Sequence, residues 1–424
     1  MNRLFIKILN SSTIKNVFGV SVFNIIGAFI GFVLNIFLAR YFSVEEYGDI
    51  SFFIATFLIL FTIFEFGFSN TLVILSSKVD SNAREKVFAY INNKFILFTS
   101  SLLVLLIVLL NLFHDFFGAY YSVFQIATFA AYLFGIYRYL ISIFQAEAKW
   151  RLYNIYNVLN NFIKVVVIAG IITVFEVVLK KNVSIEIYYY SFLLYVVLLF
   201  LLTLIFKKNK VSFLKSSSTI SSNYFYQTLL PLGTINLLII AAMRADIYII
   251  DSQLGSFEVG VYSVANSLAL IFPLITSSVM KVLVRESSKK GIGFLVKIIE
   301  IQKKFYLHLI IVIFLVILSA KYLIILLFGV KYIDSILIFQ VLITVYIGGM
   351  FFTPLESFFI SNKPNQILIV RIVQLVIIVL LGLILISLFG IIGMSLTVVI
   401  SRLVGWLYFT IKSNFIINEY NSKI

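Results

Sequence analysis

A chain of 424 residues that is 62% hydrophobic and only 12% charged is not an ordinary soluble domain, where about a quarter of the residues carry charge. The formal charge of +15 has no nucleic-acid-binding motif to serve. The absence of cysteine excludes disulfides, thiolate chemistry and cysteine-held metal.

A helix needs roughly 20 apolar residues to cross a bilayer. Twelve such runs follow one another: 17–38, 48–71, 95–113, 121–143, 154–178, 185–206, 229–250, 259–280, 305–328, 336–360, 366–389 and 391–411. The first follows Arg3, Lys7 and Lys15 as a signal peptide would. It is too long for such a segment and lacks a small-x-small cleavage site, so it reads as a retained helix. Alternate loops collect the basic residues, among them Lys78, Arg84 and Lys86, then Lys149 and Arg151, then Lys207, Lys208 and Lys210, then Arg285, Lys289 and Lys290. The opposite set holds only Arg40, Lys180, Lys181, Lys321 and Lys331. This asymmetry places both termini in the cytoplasm. The two histidines, His114 and His308, sit at helix ends without partners for a metal site, and none is expected.

The chain repeats itself. Phe42-Ser43-Val44-Glu45-Glu46-Tyr47-Gly48 is echoed by Leu254-Gly255-Ser256-Phe257-Glu258-Val259-Gly260, an offset of 212 residues. Phe117-Gly118-Ala119-Tyr120 and Phe328-Gly329-Val330-Lys331 lie almost the same distance apart. Six spans per half is an even number, so both halves enter the membrane the same way up, as in carriers built from parallel repeats. The expected architecture is all-α: an integral membrane protein of about twelve transmembrane helices in two pseudo-symmetric six-helix bundles around a central cavity. The lobes are 1–210 and 211–424, joined by the basic, serine-rich stretch 207–228.

Within the repeat, Ala39-Arg40-Tyr41-Phe42-Ser43-Val44-Glu45-Glu46-Tyr47-Gly48 followed by Phe66-Gly67-Phe68-Ser69 resembles the opening of bacterial polysaccharide-biosynthesis membrane proteins. Arg244-Ala245-Asp246 ahead of Gly260-Val261-Tyr262-Ser263, then Phe328-Gly329-Val330-Lys331-Tyr332 and Phe389-Gly390-Ile391-Ile392-Gly393, look like the family's later signatures in the same order. These proteins are flippases for O-antigen and related lipid-linked oligosaccharides, within the multidrug/oligosaccharidyl-lipid/polysaccharide exporter superfamily. Ser43 and Val44 stand where Gly-Pro is usual, and Glu65 where Asp is commoner. The resemblance implies a carrier in the bacterial inner membrane that moves an undecaprenyl-pyrophosphate-linked repeat unit, of lipopolysaccharide or another surface polysaccharide, from the cytoplasmic to the periplasmic leaflet. It also implies a cavity lined chiefly by the first, second, seventh and eighth spans. Membrane lipids and other polysaccharide-assembly proteins would be its partners.

An ionisable group near the bilayer centre costs about 2.5–3.5 kcal/mol on insertion scales, so it faces protein or water and marks a candidate site. The candidates are Glu65, Lys164, Arg244, Asp246, Glu356 and Arg402. Asn236 and Arg244 share one polar stripe of the seventh span, whereas Asp246 lies about 200° around the helix from Arg244 and cannot pair with it there. Arg244 is read as the ligand of the pyrophosphate, because a guanidinium forks onto phosphate oxygens; the alternative is a structural ion pair with Glu65 or another carboxylate. Asn161 and Lys164, with Asn157 and Asn160, form one sector of the fifth span, read either as a sugar-contacting face or as interhelical hydrogen bonding. Asn24 and Asn35 flank Gly27 and Gly31 in the first span, either at a helix contact or on a cavity wall. Glu65, Asp246, Glu356 and Arg402 are assigned to ion coupling or to structural pairs. Tyr188, Tyr189 and Tyr190, with Tyr120 and Tyr121, read as an interfacial belt.

No ATP-binding loop is present: Gly255 and Gly260 have the spacing, but Val261-Tyr262 replaces the required Lys-Ser/Thr. No cofactor and no enzymatic activity are expected, and a proton, a cation or the membrane potential remains to couple transport. Two other readings stand beside the flippase: a cation-coupled exporter of drugs or small molecules with the same fold, and a membrane polysaccharide polymerase or glycosyltransferase.

The charge asymmetry makes a direct prediction. In this cysteine-free chain, an impermeant maleimide added to intact cells labels Lys181→Cys, and it labels Lys290→Cys only after permeabilisation. The reverse pattern overturns the topology.

Overall fold

The computed structural model describes residues 12–180, 183–206, 221–273, 276, 280, 283–284, 287 and 291–422, and all side chains among these except those of 12–22, 24, 81–82, 205–206, 364 and 421. The helices are α1 (Ser12–Tyr41), α2 (Val44–Glu65), α3 (Phe68–Ser77), α4 (Ser81–Leu112), α5 (Tyr121–Ala146), α6 (Trp150–Thr173), α7 (Ile185–Phe206), α8 (Ser222–Leu254), α9 (Ser256–Ala269), α10 (Ile292–Phe328), α11 (Ser335–Asn362) and α12 (Pro364–Asn421). A π-helical turn, Val174–Val178, extends α6. No strand occurs among the described residues. A helix satisfies every backbone group of a spanning segment within that segment, which lipid requires.

The expected spans map onto these helices in order. Nine stretches of described helix are long and apolar enough to cross a membrane, and Ile25–Tyr41 is a shorter apolar one. The second span is broken between α2 and α3, and the last two run together as α12. As one straight rod of 58 residues, α12 would reach about 87 Å at 1.5 Å per residue, far beyond a hydrocarbon core of about 30 Å. It breaks at Gly390 (φ 57°, ψ −143°) and folds back. Gln374 Nε2 donates to the Ser401 carbonyl and Ser401 Oγ to the Gln374 carbonyl, so the two arms are antiparallel. Many large apolar side chains are exposed, as on α10, where Phe305, Leu315 and Leu326 are open. This is a multi-pass integral membrane protein.

Two compact units emerge, and they are not the sequence lobes 1–210 and 211–424. Among the described residues, the N-unit takes in 22–34 and 53–241; the C-unit takes in 12–21, 35–52 and 242–422. Thus α1, α2 and α8 each contribute to both. In the N-unit, α5 packs on α3, α4 and α7, and α6 packs on α7; Phe68, Leu72, Ile91, Phe95, Tyr139 and Phe225 centre its core. Tyr188 and Tyr189 are buried there against Phe53. The belt expected at 188–190 is therefore a core, and only Tyr190 is exposed. In the C-unit, α11 packs on α9, α10 and α12, with Leu295, Leu355, Phe359 and Phe409 at the centre.

Within the C-unit, one end is built from contacts between the two halves of the repeat. An added Cβ at Gly48 would overlap the Ser256 carbonyl, and one at Gly260 would overlap that of Val44. Each position is its partner's equivalent 212 residues on, so the crossing of α2 and α9 has the reciprocity of a two-fold interface. Nearby, Arg40 donates to the Leu326 and Leu327 carbonyls at the end of α10, while Lys331 donates to the Arg40 and Phe42 carbonyls at the end of α1. Each cation satisfies the orphan carbonyls of the other's helix. Burial pushes the Lys331 ammonium below its usual range, and the Glu46 carboxylate opposes this. Tyr332 Oη donates to the Ala39 carbonyl at 3.0 Å, and Ser256 Oγ to Asp49.

Overpacking such a crossing costs about 1–3 kcal/mol. Gly48→Leu and Gly260→Leu are each expected to lower the melting temperature of the purified protein in detergent. Gly293→Ala, whose added Cβ would meet nothing within 4 Å, leaves it unchanged. Wild-type melting of both Leu variants would show that the helices do not cross here.

Candidate functional site

The C-unit contains a buried polar cluster where α8, α9, α11 and the second arm of α12 meet. Asp246, on α8, is 4% exposed and accepts two hydrogen bonds, from Tyr262 Oη at 2.6 Å and from the Ile247 N–H at 2.8 Å. Arg244 and Arg402 both act electrostatically on this carboxylate, and all three line one cavity with Asn266 and Tyr346. Tyr346 Oη donates to Asn266 Oδ1 at 2.8 Å. The space is about 10 Å³, room for about one water-sized atom. Arg244 Nε is buried and has no hydrogen-bond acceptor among the described residues. Two guanidiniums around one carboxylate leave one positive charge in excess, and a buried donor without an acceptor is energetically unfavourable. The cluster suits an additional oxygen bearing negative charge.

The structure brings Arg244, Asp246 and Arg402 to this one place. The sequence separated Arg244 from Asp246 by helical angle; the fold reunites them at a shared cavity without direct pairing, and it gives Arg402 the carboxylate neighbour that was not apparent. Glu356 does not line this cavity: it is ion-paired with Arg371, which also donates to Gln374 Oε1 at 2.8 Å, and both charges act electrostatically on Arg402. Asn35 is half-buried in the same unit.

The remaining candidates belong to the N-unit. Glu65 caps a helix break: its two oxygens accept the N–H groups of Gly67 at 2.9 Å and Ser69 at 2.8 Å, where Phe66 and Gly67 turn left-handed (φ 33° and 76°). An added Cβ at Gly67 would come within 2.7 Å of the Gly233 nitrogen, so α3 starts in backbone contact with α8. Lys164 has the Phe192 ring 5.2 Å from its Nζ. Asn161 lies against Gly27 and Gly31, where added Cβ atoms would come within 2.8 and 3.4 Å of its amide; the GxxxG therefore receives a side chain. Asn236 is half-buried. The Asn24 side chain lies outside the described residues.

Three participants were missed from sequence. Arg138 donates to Asn157 Oδ1 at 2.8 Å; as an intramembrane charge in the fourth span it was open to the same argument as Lys164. Tyr346 and Asn266 gave no signal beyond ordinary polarity. Among the described residues, no group of three or more His, Asp or Glu could hold a metal ion.

Structures of low sequence identity share this fold. A multidrug resistance MATE family transporter of the MOP superfamily, in an inward-facing conformation, superposes with a TM-score of 0.71 at 14% identity, covering 93% of this chain and 96% of its own. The lipid II flippase MurJ, in an inward closed conformation, gives 0.68 at 18% identity, covering 93% and 87%. A MOP superfamily transporter from Pyrococcus furiosus, described as having a binding pocket of reversed polarity, gives 0.66 at 16% identity, covering 94% and 96%. No curated protein is significantly similar in sequence. The model of the family described as polysaccharide biosynthesis protein matches residues 13–289, about two thirds of the chain, and the protein belongs to that family.

Proposed function

We propose that this membrane transporter flips an undecaprenyl-pyrophosphate-linked repeat unit of O-antigen or another surface polysaccharide from the cytoplasmic to the periplasmic leaflet of the bacterial inner membrane, by alternating access. The observation that carries the reading is the excess guanidinium charge around Asp246, at a cavity of oxygen-atom size, in a member of the polysaccharide biosynthesis family. Arg244 offers its unpartnered Nε to a pyrophosphate oxygen. Asp246 and Tyr262 hold the site together, and Arg402 adds the second positive charge. Asn161, Lys164, Asn236, Asn24 and Asn35 are assigned to the sugar-bearing part of the cargo.

The end fastened by Gly48, Gly260, Arg40 and Lys331 is the one the charge asymmetry assigns to the periplasm. Its closure suits a carrier that loads from the cytoplasmic leaflet, and every contact in it is a hydrogen bond or a van der Waals fit that can be remade. A cation-coupled exporter of the same fold is less well supported here: Asp246 already accepts two hydrogen bonds and lies beside two arginines, a poor setting for another cation.

Arg244→Ala is expected to abolish export at normal protein levels, with lipid-linked repeat units accumulating inside, while Arg244→Lys retains part of it. Surface polysaccharide and carrier-linked intermediates measured in a deletion strain complemented by each variant provide the test. Wild-type export by the Ala variant makes Arg244 structural.

A pyrophosphate diester carries about two negative charges, and 100 mV is worth about 2.3 kcal/mol per charge, so an interior-negative membrane favours outward transfer by roughly 4.6 kcal/mol. Flipping in proteoliposomes is expected to slow when the potential is dissipated and to ignore the omission of ATP. Rates indifferent to potentials of either sign would move the driving force to a coupled ion, as in the exporter reading.

A further inference from the structure

We propose that Arg371 and Glu356 form a loading site for the cargo's pyrophosphate, in which Arg371 takes the phosphate oxygens and Glu356 is the resident carboxylate that they displace. The inference rests on the flippase reading and adds an earlier stop to it. The pair joins α11 to the first arm of α12, and its guanidinium is incompletely used. Nη2 donates to Glu356 Oε1, and Nη1 donates to Gln374 Oε1 at 2.8 Å. Nε is buried without an acceptor among the described residues. Nε and Nη2 make one edge of the guanidinium, the fork that a phosphate or a carboxylate grips with two oxygens. Glu356 meets that edge through one oxygen. A terminal phosphate has oxygens for both donors and completes the fork that the carboxylate leaves open.

The position of the pair suits loading. Glu356 lies six residues before the end of α11, towards the face that the charge asymmetry assigns to the cytoplasm. The pair is reachable, with 14% of the Arg371 side chain and 18% of the Glu356 side chain exposed. Two helices carry a shared face from the pair to the cavity at Asp246. On α11, Glu356, Thr353 and Tyr346 fall in one sector, and Tyr346 lines that cavity. Ten residues separate Tyr346 from Glu356, about 15 Å at 1.5 Å per residue. On α12, Arg371, Gln374 and Ile378 follow at i, i+3 and i+7, and Ile378 lines the cavity as well. Gln374 is hydrogen-bonded to Ser401, the neighbour in sequence of Arg402, and both members of the pair act electrostatically on Arg402. From the pair to the cavity the C-unit thus offers Arg371, Arg402 and Arg244 in turn, against two carboxylates, Glu356 and Asp246. When Glu356 pairs with Arg371 again, it loosens that residue's hold and lets the phosphate pass on to Arg402 and Arg244.

The test uses the full-length protein purified in detergent, with undecaprenyl pyrophosphate as the ligand and undecaprenol as the uncharged control. Glu356→Gln removes the competing charge and is expected to tighten pyrophosphate binding about tenfold, while slowing flipping in proteoliposomes. Arg371→Gln is expected to loosen binding about tenfold, the worth of one charge-assisted hydrogen bond. The tightening depends on Arg371, so the double variant binds as Arg371→Gln alone does. Glu356→Asp, which keeps the charge but draws it back by one methylene, shifts the affinity in the same direction as Glu356→Gln by a smaller factor. It lets the direction be read even if the Gln variant folds poorly. A pair that only braces the two helices behaves differently, because losing either member weakens binding alike. Weaker binding in both the Glu356 and the Arg371 variants, or an unchanged affinity in either Gln variant, therefore overturns the inference. Wild-type binding of the pyrophosphate no tighter than that of undecaprenol sinks the flippase reading itself.

Discussion

Inside a bilayer no water is available to a backbone N–H or carbonyl, so each must find its partner within the protein. This constraint makes the chain helical, and it makes every interruption of a helix a problem that side chains must solve. At Ser43 and Glu46 the solution is a reciprocal capping box, each side chain bonded to the other's backbone N–H. At Phe66-Gly67 the solution is Glu65, whose carboxylate turns back onto the first N–H groups of α3. At the ends of α1 and α10, Arg40 donates to the last carbonyls of α10 and Lys331 to those at the end of α1. Four charged groups, Glu46, Glu65, Arg40 and Lys331, thus close the backbone where it turns.

The charges left over fall into two kinds. Asp246 has its hydrogen bonds and two guanidinium neighbours, so that cluster keeps one positive charge in excess and one buried donor, Arg244 Nε, without an acceptor among the described residues. Lys164 and Arg138 have no carboxylate partner among the described residues; Lys164 has the Phe192 ring and Arg138 the Asn157 amide oxygen. Removing one partner of a buried pair is strongly destabilising because it strands the other charge. A cation held without a partner inside a membrane is therefore a feature to be explained by what it meets, more than by what it stabilises.

The repeat supplies the geometry on which closure depends. Helices in lipid gain little from burying apolar surface and associate through close van der Waals fit and interhelical hydrogen bonds. Gly48 and Gly260 let α2 and α9 approach to backbone contact, and the same contact recurs with the halves exchanged. The neighbouring bonds from Tyr332 to the Ala39 carbonyl and from Ser335 to the Val261 carbonyl, the latter at 2.7 Å, tie residues far apart in sequence together at the same end of the C-unit.

Hydropathy and charge by themselves determined that this chain is an all-helical, multi-pass membrane protein, because the length of an apolar run and the satisfaction of its backbone are local properties. The spans, the duplication and the family were legible for the same reason: each is written in consecutive residues. So was the interest of Arg244, Asp246, Arg402 and Lys164, since an ionisable residue in an apolar run is anomalous wherever it lies. What those residues touch was not legible. Whether Asp246 would meet Arg402 depends on how far α12 folds back at Gly390; whether Glu65 would pair with a cation or cap a helix depends on the left-handed turn that follows it. Arg40 and Lys331 looked like exceptions to the charge rule until the fold brought the ends of α1 and α10 together. The compact units likewise cut through α1, α2 and α8, because packing follows the contacts of each helix segment and takes no account of the midpoint of a duplicated sequence.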